Sequence, residues 1–198
     1  MQLTSSSIQD HIPYYLSQEA KDNLVATLAD FPRKINYYIN KFQDEILQGD
    51  GWNSFVVFNY ENGQKQPIKG ILLSNSCDIS PDNKRPIPPT YTFAPIVKLS
   101  AYTQQLSAAG VSEEQIQNKI IAIKEQTVTT LFYLPKDGNL DEDYVAILSE
   151  ANSIPSQAFY ERKDRQKIFT LSQVGFYLFV FKLSIHFCRF HEEVDRFN

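Results

Sequence analysis

Five short apolar segments between residues 55 and 148 constrain the fold more than any other feature of the sequence. They are residues 55–58, 69–74, 91–99, 128–134 and 144–148. Their length and their β-branched and aromatic side chains are typical of β-strands. Asn62-Gly63 separates the first two segments, and this dipeptide is the strongest short-range signal of a β-hairpin. The pattern predicts a small antiparallel sheet that curls into a barrel.

Helical patterns flank and interrupt these predicted strands. The predicted helices are residues 17–30, 35–47, 112–126 and 171–193, each with apolar residues at helical spacing. A capping-box sequence from Ser112 to Gln115 supports the third helix. Thr170 or Ser172 is the predicted cap of the last helix, whose apolar residues cover most of its faces and indicate burial. Residues 158–162 are assigned as one more short strand.

These elements predict one α+β domain that spans residues 1–198. Two N-terminal helices occupy residues 1–50, and the barrel occupies residues 52–198 with a helical insertion at 101–126 and a C-terminal helix at 171–193. The chain has 198 residues, of which 42% are hydrophobic. This is enough to bury a core without disulfides or structural metal.

Composition and residue spacing exclude several classes of protein. The net charge of −4 argues against a uniformly basic protein that coats nucleic acid. Two cysteines, Cys77 and Cys188, do not make a disulfide scaffold, and the sequence has no CxxC motif for a zinc knuckle. His186 and His191 are five residues apart, so a helix does not place them on one face. We therefore expect no metal and no cofactor, and we expect Cys188 to lie in the core.

The sequence also predicts a cytoplasmic protein that is not embedded in a membrane. Residues 1–10 are polar and have no apolar signal core. The apolar run at residues 174–190 is interrupted by Lys182, His186 and Arg189, which favours a buried helix over a membrane span.

Candidate catalytic residues follow the second predicted strand, where a proline-rich loop begins at residue 75. Ser76, Cys77 and Asp78 lie at a position from which a barrel presents side chains to a ligand. Cys77 is a nucleophile if a base lowers its pKa, although the neighbouring Asp78 opposes thiolate formation. The alternative is structural, with Cys77 a small buried residue and its neighbours capping the loop backbone.

Candidate nucleic-acid contacts lie in the same loop and just after it. Lys84 and Arg85 are the predicted phosphate contacts, and Tyr91 and Tyr60 are predicted to stack on bases. A mixed charged run at residues 161–167 is typical of a solvated face. A binding role for its cations, Arg162, Arg165 and Lys167, is the alternative.

Several motifs resemble the MazF/PemK family of toxin endoribonucleases. Gly70 to Asn75 is similar to that family's second strand and its Leu-Ser-Asn-like loop, and Phe93 to Val97 resembles its third strand. Tyr144 to Glu150, with Ser153 to Ser156 after it, resembles the late strand and turn, and residues 171–190 take the place of the terminal helix. The resemblance covers half to two-thirds of the chain and implies an SH3-like/PemK-like barrel.

The resemblance implies a toxin-like protein that binds and cleaves single-stranded RNA, forms a homodimer and is inhibited by a partner protein. Lys69 stands near the position of the family's phosphate-binding arginine and is therefore a predicted RNA contact. Val97 replaces the family's Thr or Ser and cannot transfer a proton. Two alternatives remain open: a catalytically inactive barrel that acts as a protein-interaction module, and a different hydrolase that uses Cys77 or Asp78.

Overall fold

The computed structural model describes residues 35–59 and 61–188, which form a mixed α+β fold. The strands are β1 (Tyr38–Ile39), β2 (Gly51–Phe58), β3 (Lys65–Leu72), β4 (Thr90–Lys98), β5 (Leu131–Leu134), β6 (Tyr144–Ile147), β7 (Asn152–Pro155) and β8 (Lys167–Leu171). The helices are α1 (Ser76–Ile79), α2 (Leu99–Ala108), α3 (Glu113–Lys124), α4 (Ser156–Tyr160) and α5 (Gln173–Cys188).

The strands form one antiparallel sheet that curves into a half-barrel. The strand order is β1-β8-β2-β3-β4-β6-β5, and β7 pairs with β4. The long strand β4 joins the two parts of the sheet, because its residues pair with β3, β6 and β7 in succession. The predicted antiparallel, barrel-like α+β fold is confirmed at this level.

The hairpin of β2 and β3 follows the Asn-Gly signal. Phe58 pairs with Lys65, and Gly63 between them has a φ of +70°, which glycine adopts without strain. Nearer its start, β2 carries a bulge between Trp52 and Phe55, where Ser54 has a φ of +66°. A bulge bends its strand and redirects the neighbouring side chains. It therefore changes which way the beginning of β2 faces.

An aromatic core lies beneath the hairpin. The rings of Phe55 and Phe93 stack with centroids 4.2 Å apart and an interplanar angle of 11°. Both rings lie against Gly70, where an added Cβ would come within 2.6 Å of the Phe55 ring and 2.9 Å of the Phe93 ring. Phe159 of α4 packs against this pair and is fully buried. The stack therefore requires glycine at position 70.

The helical insertion packs on the other end of the sheet. Ser112 accepts a hydrogen bond from the Gln115 backbone N–H at 3.3 Å, and the Gln115 side chain reciprocates. This capping box confirms the helix predicted over residues 112–126. Its Ile123 is buried against Leu131 and Val145 of β5 and β6.

The helix predicted over residues 35–47 is wrong. Tyr38 and Ile39 instead form β1, which pairs with Leu171 and Thr170 of β8. Phe42 then has a φ of +58°, which is incompatible with a continuing right-handed helix. The backbone of Tyr38 and Ile39 is bonded to β8 in place of a helical turn, so a distant strand overrides the helical spacing of this segment. The helix predicted over residues 17–30 lies outside the described residues.

The C-terminal third also differs from the prediction in part. The strand predicted over residues 158–162 is wrong: residues 158–160 belong to helix α4, which follows directly after Pro155 ends β7. The strands β7 and β8 were missed. Helix α5 begins at Gln173, where Ser172 accepts from the Gly175 N–H at 3.1 Å and so confirms Ser172 as the cap. Residues 189–193 of the predicted helix lie outside the described residues.

Helix α5 is only partly buried. Gly175, Leu178, Phe179 and Lys182 face the core, whereas Val180 and Phe187 are exposed. No helix in residues 35–59 and 61–188 is both long enough and apolar enough to cross a bilayer.

Candidate functional site

A cleft of about 670 Å³ opens beside the bulged start of β2 and the start of β8. It is lined by Gln43, Asp44, Trp52, Asn53, Lys69, Asn139, Arg165, Gln166, Lys167 and Ile168. Three cations and four side-chain amides thus face one carboxylate, Asp44. This lining suits an anionic, hydrogen-bonding ligand, since cations and amides together offer many donors.

Lys167 is buried on one side of the cleft, where a carboxylate holds its ammonium group. Its side chain is 4% exposed, and Nζ lies 2.8 Å from Oδ2 of Asp50, which is 1% exposed. Nζ also donates to the Phe42 carbonyl at 2.6 Å and lies 5.1 Å from the centre of the Trp52 ring. Burial raises the pKa of the Asp50 carboxyl, and the hydrogen bond from Lys167 opposes this rise. The cation is therefore fixed by several partners in one position.

Lys69 is held by a chain of hydrogen bonds across the sheet. Its Nζ donates to the Tyr144 hydroxyl at 3.0 Å and lies 4.9 Å from the centre of the same ring. The Tyr144 hydroxyl donates to Asp141 at 2.8 Å, and Lys98 donates to the other oxygen of Asp141 at 2.7 Å. The Lys98 and Tyr144 hydrogen bonds lower the pKa of Asp141 to about 2. The carboxylate therefore stays ionised and anchors the chain that orients Lys69.

Arg165 is fixed by helix α4. Its Nη1 donates to the carbonyls of Phe159 and Tyr160 at 3.1 and 3.0 Å. Its guanidinium carbon lies 5.3 and 5.2 Å from the centres of the same two rings. These hydrogen bonds use one nitrogen of a group that has five N–H donors. The arginine is therefore positioned while it keeps donors for a ligand.

Two asparagines in the lining, Asn53 and Asn139, form hydrogen bonds with residues at and just before the start of β8. Asn53, in the β2 bulge, accepts from the Gln166 N–H at 2.5 Å, and its own N–H donates to the Gln166 carbonyl at 3.0 Å. Asn139 donates to the Ile168 carbonyl at 2.9 Å. The bulge therefore positions Asn53 to connect β2 with the start of β8.

The predicted catalytic residues Ser76, Cys77 and Asp78 lie on helix α1, and none of them lines the cleft. The Ser76 hydroxyl accepts from the Gln48 N–H at 2.8 Å, which is a structural contact. Cys77 is exposed, so its interpretation as a buried residue is wrong. Asp78 is 76% exposed, and the Arg85 guanidinium lies 3.9 Å away. The trio is therefore a capped helical turn that faces solvent.

The predicted RNA contacts divide between the cleft, the loop and the core. Lys69 lines the cleft, whereas Lys84 and Arg85 are exposed in the loop. Tyr91 is 1% exposed, packs edge-on against Phe159, and donates to the Tyr160 hydroxyl at 3.0 Å. Its ring is enclosed by core residues, so the prediction that Tyr91 stacks on a base is wrong. Tyr60 lies outside the described residues.

Sequence reasoning missed part of the cleft. Trp52, Asn53 and Asn139 of the lining were not singled out, nor was Asp50, the partner of Lys167, and Arg165 and Lys167 appeared only as the alternative to a solvated charged run. Lys167 had a usable signal, because it directly precedes residues 168–171, whose β-branched and aromatic side chains are typical of a strand. Cys188 is exposed and not in the core. Across the described residues, no three His, Cys, Asp or Glu side chains are grouped to hold a metal ion.

No protein-family model matches the chain, and no curated protein is significantly similar to it. The fold and the cleft are therefore the observations from which its function is argued.

Proposed function

We propose that this protein binds single-stranded RNA through the cationic cleft. The observation that carries the proposal is the convergence of Lys69, Arg165 and Lys167 on one open cleft. These residues come from three places in the fold: β3, the α4–β8 connection and the start of β8. Phosphate groups supply most of the affinity in nucleic-acid complexes.

The arrangement favours an extended polyanion over a small anion. The cleft is open and amide-lined, and Lys69 and Arg165 are held by separate networks, so these two cations can contact successive phosphates of a strand while Lys167 stays bound to Asp50. A net charge of −4 over the whole chain restricts such binding to this local patch. Side-chain amides beside the cations can hydrogen-bond the base edges that a single strand exposes.

The resemblance to the MazF/PemK barrel supports the same proposal. Lys69 stands near the position of that family's phosphate-binding arginine, and Lys69 lines the cleft. We propose a PemK-like, SH3-like identity for the half-barrel on this basis. Single-stranded RNA is the ligand that the resemblance implies.

Binding is the activity that the cleft supports, and cleavage by Ser76, Cys77 and Asp78 is not part of the proposal. These three side chains lie outside the cleft, and Ser76 already accepts a backbone hydrogen bond. Within the described lining, Asp44 is the single carboxylate, and histidine is absent. General acid–base cleavage needs two groups that exchange protons with the reacting atoms.

A titration with a short, fluorescently labelled single-stranded RNA at low salt tests the proposal. We expect Lys69→Ala and Arg165→Ala each to weaken binding by about tenfold, because each removes one positioned phosphate contact. Lys84→Ala and Arg85→Ala are the matched controls, and we expect a change of less than about twofold for each. A gel of the same samples should show intact RNA. The proposal fails if the native chain does not bind, or if the loop variants weaken binding more than the cleft variants do.

A second candidate function is protein interaction without RNA. The observation that favours it is an apolar stripe on α5, where Val180 is 36% exposed and Phe187 is 61% exposed. These residues are seven apart and therefore share one face of the helix. If a second copy covers this face, light scattering will show a dimer that Phe187→Ser dissociates. A monomer in both samples would exclude self-association through this stripe.

A further inference from the structure

Phe42 has an unusual backbone for its residue type. Its φ is +58°, in the left-handed region that bulky residues rarely adopt, and the residue is 47% exposed. Burial of the ring does not account for this conformation, since half of the residue faces solvent. Strained residues of this kind persist where the surrounding structure holds them, and they cluster at ligand-binding sites.

Contacts to the cleft hold Phe42 in this conformation. Its carbonyl accepts from Lys167 Nζ at 2.6 Å and from the Glu45 N–H at 3.2 Å. The ion pair with Asp50 fixes Lys167 in turn. The two residues that follow Phe42 line the cleft. The exposed ring therefore belongs to a segment at the edge of the cleft, attached to one of its cations.

We propose that Phe42 is a stacking platform for an unpaired nucleobase of the strand whose phosphates contact the cleft. This inference rests on the proposed RNA binding and adds the feature that selects single strands. An aromatic face beside a cationic groove is the usual means of holding single-stranded nucleic acid without reading its sequence. Bases in a duplex are already stacked on each other and do not offer their faces. The cleft and Phe42 together therefore bind an unpaired strand in preference to a duplex of the same charge.

The test compares two ligands and three variants of the full chain. The ligands are a single-stranded RNA and the same sugar–phosphate backbone with its bases removed. Phe42→Asn removes the ring and keeps a residue that tolerates the left-handed backbone. Phe42→Tyr keeps the aromatic face. Phe187→Ala is the matched control, because it removes an exposed aromatic from α5, a helix that contributes no residue to the cleft lining.

We expect Phe42→Asn to weaken binding of the base-bearing RNA by about tenfold and to leave binding of the abasic strand within about twofold. Phe42→Tyr and Phe187→Ala should bind both ligands as the native chain does. Thermal unfolding of each variant confirms that the comparison is made between folded proteins.

Three outcomes overturn the inference. Equal weakening of both ligands by Phe42→Asn would show that Phe42 acts only by holding Lys167. Unchanged binding of the base-bearing RNA would show that the ring contacts no base, and RNA binding itself would stand if Lys69→Ala still weakens it. If the native chain binds neither ligand at low salt, the proposed function fails and the stacking inference fails with it.

Discussion

Two lysines with buried side chains, Lys167 and Lys182, differ in the groups that surround their amines. The Lys167 side chain at the cleft is 4% exposed, and Lys182 on α5 is 4% exposed over the whole residue. Lys167 has a carboxylate partner, Asp50, at 2.8 Å, together with carbonyl and ring contacts. Lys182 donates to the carbonyl of Gln126, and burial lowers its pKa to about 8.

The comparison shows what a lysine needs if it is to stay charged when its side chain is buried. Removing an ammonium group from water is costly, and a nearby carboxylate offsets much of that cost while a carbonyl offsets less. The wall of the cleft therefore contains a lysine whose charged form is stabilised by a carboxylate, whereas the buried face of α5 carries a lysine whose charged form is disfavoured. The predictions below test that difference, from the largest expected effect to the smallest.

Lys167→Met should lower the free energy of unfolding by about 3 kcal/mol, because it leaves the buried Asp50 carboxylate without its counter-ion. Lys182→Met should not lower the free energy of unfolding at pH 7, since no carboxylate loses a partner and a charge that burial disfavours is removed. Urea unfolding of both variants measures these values.

A double variant provides the control for this first prediction. Asp50→Asn combined with Lys167→Met should be less destabilising than the sum of the two single changes, because the pair is removed together. Additive effects, or equal losses for the two Lys→Met variants, would show that the ion pair does not distinguish the two sites.

Lys69→Ala should reduce the steepness with which RNA affinity falls as salt rises. Each phosphate contact to a single strand contributes a slope of about 0.7 in log affinity against log salt, so one contact fewer lowers the slope by that amount. Lys182→Met should leave the slope unchanged, because Lys182 does not line the cleft. Titrations at several salt concentrations measure this slope. An equal slope for the native chain and Lys69→Ala would contradict a phosphate contact of Lys69.

Stability should rise with pH between pH 8 and pH 10.5 through Lys182. Its folded-state pKa of about 8 lies below its ordinary value of 10.5, so the unfolded chain binds more protons in this window. Below pH 8 the lysine is charged in both states and adds no pH dependence. Urea unfolding across the window should show a gain in the native chain relative to Lys182→Met, and parallel curves would contradict the lowered pKa.

The smallest effect is expected in the β3–β4 loop. Arg85 and Asp78 are 40% and 76% exposed and 3.9 Å apart, so water screens their attraction. Arg85→Ala should change the free energy of unfolding by less than about 0.5 kcal/mol. Thermal unfolding measures this change. A loss of stability comparable to that of Lys167→Met would show that the Arg85–Asp78 ion pair holds the loop in place.

Local chemistry was sufficient to predict several parts of the fold. The Asn62-Gly63 turn and the Ser112 capping box form between residues close in sequence, and the short strands follow from their β-branched and aromatic side chains. The segment at 35–47 shows the opposite case. Its apolar residues fit a helix, but pairing of Tyr38 and Ile39 with β8 replaces the helical hydrogen bonds. A partner more than 130 residues away leaves no mark in the local pattern.

Likewise, the sequence predicted only part of the candidate site. Lys69 was predicted as an RNA contact and lines the cleft, but Tyr91 was predicted to stack on bases and lies in the core. The alternation of sides along a strand does not reveal which side is covered by α4. The β2 bulge and the Asn53–Gln166 hydrogen bonds depend on two segments meeting, so they were beyond sequence reasoning.

The sequence by itself determined that the chain forms short antiparallel strands with a capped helical insertion, because turns, caps and residue periods are local properties. Only the tertiary structure decided where the charges act. It brings Lys69, Arg165 and Lys167 together from distant segments and gives Lys167 a carboxylate that Lys182 lacks. The energy of a charge depends on its burial and its neighbours, and both exist only once the chain has folded.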